Sequence, residues 1–333
     1  MTILMITRLY SPHIGGVEKH VEEASKELTK LGHKITILTL QHDSKLATTE
    51  KGKGVKIIRL PYSENKFQIW KHFYAQRSLI KEVDIIHCHD IFFWYLPFRF
   101  IYPFKPVYTT FHGWEGKFPI PFKFKFLRKI YEFLSWGNIC IGDYLKEWYS
   151  TKPNIVSYGG VKVSAKPKQF KKLNQCIFIG RLEKDLGLDE YLKAFAIIKK
   201  KYNLKITFVG DGPYAQKAKK LGKVTGFVKD ISKYLNKPAY IFTSSYLTIW
   251  QAMIANRPIF SLYHNQLKKD YLSQFPGAKY INISSSADEL ISQFQKIHQN
   301  SQLTGKITKQ AYNFAKKHTW KKVAQQYLKL WNI

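Results

Sequence analysis

"TILMITRLYSPHIGGVEKHVEEASKELTKLGHKITILTL", residues 2–40, decides between the possible folds. An apolar run of strand length leads into a turn at Gly15 and Gly16, a helical pattern runs from Val17 to Leu31, and a second apolar strand closes on Leu40. A helix between two strands brings them back parallel within one sheet. Strands this uniformly apolar need cover on both faces. The opening residues have no basic flank and no small-residue cleavage site, so they read as a first strand and not as a signal peptide. No stretch of the chain approaches the ~18 uninterrupted apolar residues of a membrane span.

The same rhythm continues outward through "VKIIRL", "VDIIHCH", "PVYTTFH", "NICIG" and "NIVSYG". A second series follows with "QCIFIG", a helix over 187–201, "LKITFVG", "KVTGFV", "AYIFTS", a helix over 249–255 and "RPIFSLY". The interruption is "GGVKVSAKPKQFKK", residues 159–172, which has Gly, Pro and Lys but no apolar period. The expected organisation is α/β: a Rossmann-like, doubly wound domain over 1–163, a second over 164–316, and a terminal helix over 317–333 that crosses back to the first.

Length agrees with two domains, since 333 residues exceed what one core usually serves. A hydrophobic fraction of 45% excludes disorder. Fifty-four Lys and Arg against 23 Asp and Glu, a formal charge of +31, favour a polyanionic partner: nucleic acid, an anionic membrane face or a phosphate-bearing ligand. Three scattered cysteines give neither a disulfide framework nor a zinc module and suit a reducing compartment.

In open parallel sheets ligands gather at the carboxyl ends of strands, so the turns there matter most. Gly15 and Gly16 precede a helix, where a close backbone and free N–H groups favour phosphate, although an ordinary glycine turn has the same letters. "GDGP" at 210–213 lacks the third glycine and the later acid of a dinucleotide fingerprint, which argues against a nicotinamide enzyme. Arg181 ends the strand "QCIFIG", well placed for a diphosphate or simply solvated. His87 and His89 alternate in "HCHD" without a third partner at ligand spacing, so no metal site is expected.

Taken in order, "YSPHIGGVEKHVEEASKELTKLGHKITILT", "VDIIHCHD", "TTFHG", "FIGRLEKDLGLDEYLKAF", "FVGDGP", "VTGFV", "QAMIANRPI" and "FAKKHTWKKVAQQYLKL" resemble glycosyltransferase family 4, and the resemblance covers nearly the whole chain. It implies a GT-B architecture, two Rossmann-like domains facing a cleft, and retaining transfer from a UDP- or GDP-linked sugar without a bound metal or other cofactor. It also assigns roles. Gly15 and Gly16 approach the donor, His112 lies beside the transferred sugar and diphosphate, and Arg181 holds the leaving diphosphate. The backbone of Val228 meets the base, and the Leu247 and Thr248 N–H groups meet phosphate.

Two departures follow from the same alignment. Family members carry two glutamates eight positions apart; here Thr243 and Gln251 stand at those positions. The usual lysine falls on Leu186, with Lys184 a substitute only if the loop is remodelled. Gln251 can still accept a ribose hydroxyl, but a neutral hydrogen bond is worth ~0.5–1.5 kcal/mol against ~1.5–3 for a charged one. Thr243 is too short to orient a sugar as a glutamate does. A non-catalytic descendant or partner subunit of an active transferase therefore competes with the enzyme.

Between the N-terminal motifs lie "IFFWYLPFRFIYPFKPVY" and "KFPIPFKFKFLRKIYEFLSW", rings mixed with cations and almost no acid. Residues 92–102 read as a helix beneath the sheet or as an interfacial element. Phe122, Lys123, Phe124, Lys125, Phe126, Arg128 and Lys129 read as a membrane or acceptor surface, with rings at headgroup depth and cations on anionic lipid. A single-stranded nucleic acid platform uses the same residue types and is disfavoured within a glycosyltransferase-like frame. The expectation is a cytoplasmic protein peripheral to the inner membrane face, acting on a lipid-linked or glycan acceptor.

Overall fold

A computed structural model describes every residue except Lys53, 164–166, Gln169 and Lys171. The chain forms two compact units, Met1–Ser157 with Trp320–Ile333, and Tyr158–Thr319. The change of unit at Ser157–Tyr158 precedes the expected 163/164 boundary, and residue 164 lies outside the described residues.

The first unit carries β1 (Thr2–Thr7), β2 (Lys34–Gln41), β3 (Thr49–Gly52), β4 (Val55–Pro61), β5 (Ile85–His89), β6 (Val107–Phe111), β7 (Gly137–Ile141) and β8 (Ile155–Ser157). They form one sheet in the order β3-β4-β2-β1-β5-β6-β7-β8. All neighbouring strands pair in parallel except β3, which is antiparallel to β4. The apolar β1 takes a central place and is buried from Ile3 to Thr7, as a strand covered on both faces must be. The polar β3, "TEKG", is exposed throughout, which is tolerable only at an edge.

The Gly16–Lys30 helix buries Val21, Ala24 and Leu28 on one stripe, and its Glu23 is fully buried yet holds Lys19 at 2.9 Å and Lys26 at 3.2 Å. The Phe92–Ile101 helix buries Phe92, Trp94, Tyr95 and Phe98, so this part of the aromatic segment is core, while Phe100 and Phe104 stay exposed. The Trp320–Trp331 helix belongs to this unit and buries Trp320, Val323, Ala324, Tyr327, Leu330 and Trp331.

The second unit carries β9 (Gln175–Ile179), β10 (Lys205–Val209), β11 (Lys223–Val224), β12 (Ala239–Phe242), β13 (Ile259–Leu262) and β14 (Ile281–Ser284), in the all-parallel order β11-β10-β9-β12-β13-β14. Its core is aromatic: Phe178, Tyr191, Phe195, Phe208, Phe242, Phe260 and Phe294 pack together, with Phe195 and Phe242 edge to face at 4.7 Å. The linker is tied to this unit by the buried Arg257, which donates to the Lys168 carbonyl at 2.8 Å and lies over the Phe170 ring.

Candidate active site

In the first unit β1, β5 and β6 are adjacent, so the turns at their carboxyl ends are neighbours. Gly15 caps the Gly16–Lys30 helix in extended conformation. Open space surrounds Gly16, whereas a Cβ on Gly15 would lie 2.1 Å from the Glu18 carboxylate. That carboxylate also takes the His13 Nδ1 at 2.8 Å, so an anion arriving at this turn has to move Glu18 aside.

His112 follows β6 and is half-buried. Its backbone N–H donates to Asp90 Oδ1 at 2.7 Å, its Nε2 meets His89 Nδ1 at 2.9 Å, and the His20 ring stands edge-on at 4.8 Å. Behind it runs a buried chain. The Trp331 indole N–H donates to His87 Nδ1 at 3.1 Å, His87 Nε2 meets Thr110 Oγ1 at 2.7 Å, Thr110 meets the Tyr327 hydroxyl at 3.2 Å, and Tyr327 meets His20 Nε2 at 3.0 Å. Burial pushes His20 and His87 down to about 3 and holds His89 and His112 well below the usual histidine range, with the neighbouring histidines acting in the same direction on all but His20. The imidazoles are therefore neutral. Both nitrogens of His87 are occupied by Trp331 and Thr110.

Asp90 sits in the left-handed region at φ 62°. The residue is exposed by area, yet its carboxyl is hemmed in closely enough that desolvation raises it to about 6, against the pull of Arg128 and the His112 N–H. Sequence reading misses Asp90, His89 and His20 as site residues. The only signal for Asp90 and His89 is the cluster "HCHD", whose alternation raises the question of a metal and nothing further, and His20, at the end of "GGVEKH", has none.

Arg128 is corrected from a surface cation to an interior one. It is 6% exposed, stacks on the Tyr149 ring at 3.7 Å, and donates to the Gly113 carbonyl at 2.7 Å and Glu115 at 3.0 Å. The rest of the Phe122–Leu134 helix presents another face. Phe122, Phe126 and Phe133 fall within about 40° of one another at 100° per residue, and all three are exposed, 77%, 54% and 86%. Lys123 and Lys129 are exposed around them, while Phe124 and Lys125 are half-buried.

In the second unit β10, β9, β12 and β13 are neighbours. Gly210 and Gly212 let two strand-end turns touch: a Cβ on Gly210 would lie 1.8 Å from the Gly180 carbonyl oxygen, and one on Gly212 2.6 Å from that of Leu182. "GDGP" is thus a packing device. Arg181, at the end of β9, is exposed and donates to Glu183 and, at 2.9 Å, to Asp185. Lys184 is exposed in the turn Lys184–Leu186, and Leu186 packs on the aromatic core. The position of the family lysine has become a core contact.

Thr243 follows β12 and is fully buried; its carbonyl accepts from Ser261 at 2.5 Å. The Tyr246–Ile254 helix then begins. The Tyr271 hydroxyl takes the Tyr246 N–H at 3.2 Å, leaving Leu247 and Thr248 as the amides without an intrahelical acceptor. Gln251 is half-buried on this helix, and its carboxamide has no partner among the described residues. Val228 is half-buried in the loop after the edge strand β11.

Lys268, missed because nothing in "QLKKDY" separates it from Lys269, is 7% exposed in the Gln266–Ser273 helix after β13. Burial lowers it to about 8, with Asp185 opposing and Arg181 adding to the shift, so its charge is felt at the Arg181 cluster. Among the described residues no group of three or more His, Cys, Asp or Glu could hold a metal ion, and no helix is long and apolar enough to cross a membrane.

Residues 14–155 match the family described as Glycosyltransferase Family 4, and residues 162–314 match Glycosyl transferases group 1. An uncharacterized glycosyltransferase of Methanocaldococcus jannaschii is 24% identical over 98% of this chain and 97% of its own length. The GPI3 subunit of the phosphatidylinositol N-acetylglucosaminyltransferase of Saccharomyces cerevisiae is 27% identical over 26% of this chain and 21% of its own length. The chain matches only about a quarter of the length of the first curated relatives, 25% and 22% for the first two. Among solved structures, sucrose-phosphate synthase from Thermosynechococcus elongatus has a TM-score of 0.80 at 16% identity, covering 99% of this chain and 98% of that one. HepE of Anabaena, solved in complex with UDP-glucose, has a TM-score of 0.74 at 14% identity, covering 100% and 99%. These likenesses show the GT-B fold.

Proposed function

The chain belongs to the family 4 type of GT-B glycosyltransferases, its two halves matching the two successive families of that type, and on that premise we propose that it is a retaining transferase. Its donor is a sugar on a UDP or GDP diphosphate; its acceptor is a lipid-linked or glycan hydroxyl. The observation that carries the reading is that Arg181 follows β9 and the unpaired Leu247 and Thr248 amides follow its neighbour β12, at the same end of the sheet. A guanidinium beside a helix N-terminus is suited to the two phosphates of a diphosphate.

In this reading the bond between the sugar C1 and the diphosphate oxygen breaks while the acceptor oxygen bonds C1 from the same face. The acceptor proton passes to the leaving phosphate. No protein carboxylate takes part, and the demand on the chain is fixed positive charge where the diphosphate departs. Arg181 supplies it directly and Lys268 reinforces it from the interior, in place of the lysine lost at Leu186. Gln251 holds a ribose hydroxyl, Val228 lies along the base, and Gly15, Gly16 and His112 are proposed sugar contacts.

The Phe122–Phe126–Phe133 stripe, flanked by Lys123 and Lys129, supports docking on an anionic bilayer. The same stripe supports a lipid-linked acceptor and a place at the inner membrane face. The competing reading, a partner subunit without turnover, draws on the buried Thr243 and the apolar Leu186. A panel of UDP- and GDP-sugars separates the two: hydrolysis of one donor by the purified chain supports the transferase, and absence of turnover with every donor removes it.

A further inference from the structure

We propose that His89 is a positioning residue that locks His112 in the tautomer protonated on Nδ1, so that His112 offers its open side a hydrogen-bond donor. Two ring nitrogens 2.9 Å apart need one proton between them, and the structure restricts which ring supplies it. His89 is 1% exposed and its other nitrogen, Nε2, is buried without a hydrogen-bond partner. Had His112 Nε2 supplied the proton, His89 would accept at Nδ1 and carry its own proton on Nε2, a buried N–H aimed at nothing. With His89 Nδ1 donating, the atom left over is a bare lone pair. Orphaned buried donors are the rarer and costlier of the two.

The surrounding chain follows the same economy. Trp331 can only donate, so His87 accepts at Nδ1 and donates from Nε2 to Thr110. The buried Thr110 hydroxyl then donates its proton to Tyr327, and Tyr327 donates its own to His20 Nε2. The four protons donated by Trp331, His87, Thr110 and Tyr327 each have an acceptor, and among the buried polar atoms of the cluster His89 Nε2 alone has no partner. His112 keeps solvent access and its Nδ1 has no bond among the described residues, which makes that atom the outward group. A neutral N–H there suits a sugar hydroxyl oxygen or a phosphoryl oxygen; a lone pair there repels the latter.

The inference rests on the proposed transferase reading only for its effect on turnover, because the tautomer is read in the ligand-free protein. Long-range proton–nitrogen correlation spectra of the nitrogen-15-labelled full chain at pH 7 distinguish the two tautomers by their ring-nitrogen shifts. Protonated Nδ1 and bare Nε2 in His112 are expected. The reverse assignment in the unmodified protein overturns the proposal without any variant.

His89→Asn places an amide N–H where Nδ1 donates, and is expected to retain both the tautomer and kcat within about threefold. His89→Asp places an acceptor there, moves the His112 proton to Nε2, and is expected to lower kcat about 10- to 100-fold with donor KM little changed. Equal losses in Asn and Asp variants that both fold would mean that His89 only fills space, and the proposal fails. If the spectra agree but the unmodified chain turns over no donor, the transferase reading fails while the positioning assignment stands.

Discussion

The rim of β1, β5 and β6 is made of imidazoles stripped of charge, whereas the rim of β9, β12 and β13 is made of cations held beside acids. The same strand–turn–helix topology underlies both. What differs is the company each strand end keeps. In the first unit His20, His87, His89 and His112 lie against one another and against Tyr327 and Trp331, so desolvation decides their state. In the second, Arg181 reaches solvent and is paired with Glu183 and Asp185, so electrostatics decides. One rim can orient neutral hydroxyls; the other can meet an anion.

The largest test of that contrast is Arg181→Ala. If the second rim takes the diphosphate, kcat with a UDP- or GDP-sugar falls about 10²- to 10³-fold, the range for losing one preorganised charge stabiliser. Unchanged donor turnover would erase the distinction between the rims. Asp185→Asn probes the same group in the other direction. It frees part of the guanidinium and is expected to tighten UDP or GDP binding severalfold by calorimetry.

Acid separates the units next. His20 and His87 are depressed from 6.5 to about 3, so their contribution to stability is complete above pH 6.5 and is lost as pH falls toward 3, where the unfolded chain takes protons that the folded one refuses. Asp90, raised from 3.8 to about 6, works the opposite way between those two values, and one carboxyl does not offset the histidine cluster. Lys268, depressed from 10.5 to about 8, costs the second unit stability below pH 8, a cost relieved as pH rises toward 10.5. Hydrogen exchange followed by mass spectrometry should show β5, β6 and the Trp320–Trp331 helix losing protection as pH falls from about 6.5 toward 3 while β9 and β12 keep more of theirs. Simultaneous loss in both units would break the contrast.

The contrast also explains what could be read from the sequence. Parallel strands were legible because β1 and its neighbours are apolar along their whole length, and the helices because their apolar residues recur at helical spacing. The edge strand β3 was not, since "TEKG" has no pattern to read. Arg128 looked like part of a basic–aromatic alternation, but Tyr149 and Glu115, distant in sequence, draw it inward. The histidine cluster depends on Tyr327 and Trp331 from the far end of the chain, and Lys268 differs from Lys269 only by burial. Composition carries no sign of either.

A smaller effect tests the outer face of the first unit. Replacing Phe122 and Phe126 with serine removes two exposed rings without touching the core. Full burial of such a ring is worth ~1.5–3 kcal/mol, and partial insertion at a headgroup layer less, so about a tenfold loss of flotation with vesicles containing anionic phospholipid is expected for the pair. Arg128→Ser is the control, since it is expected to lower the melting temperature of the unit. Vesicle binding indifferent to the two rings, or absent from the unmodified chain, removes the membrane assignment.

The smallest effect lies where relatives carry their glutamates. Gln251 is half-buried with a free carboxamide, so Gln251→Glu can place a carboxylate on a ribose hydroxyl at little structural cost. Exchanging a neutral for a charged hydrogen bond is worth ~1 kcal/mol, which predicts about fivefold tighter donor binding by titration calorimetry. Thr243 does not offer the same repair. It is fully buried with its carbonyl committed to Ser261, and a glutamate there brings an unpaired charge into the interior, so Thr243→Glu should destabilise the second unit and gain no turnover. A stable, more active Thr243→Glu variant would mean that the loop opens enough to return a carboxylate to the sugar, and that the neutral side chains at this rim are not a settled alternative to the acids.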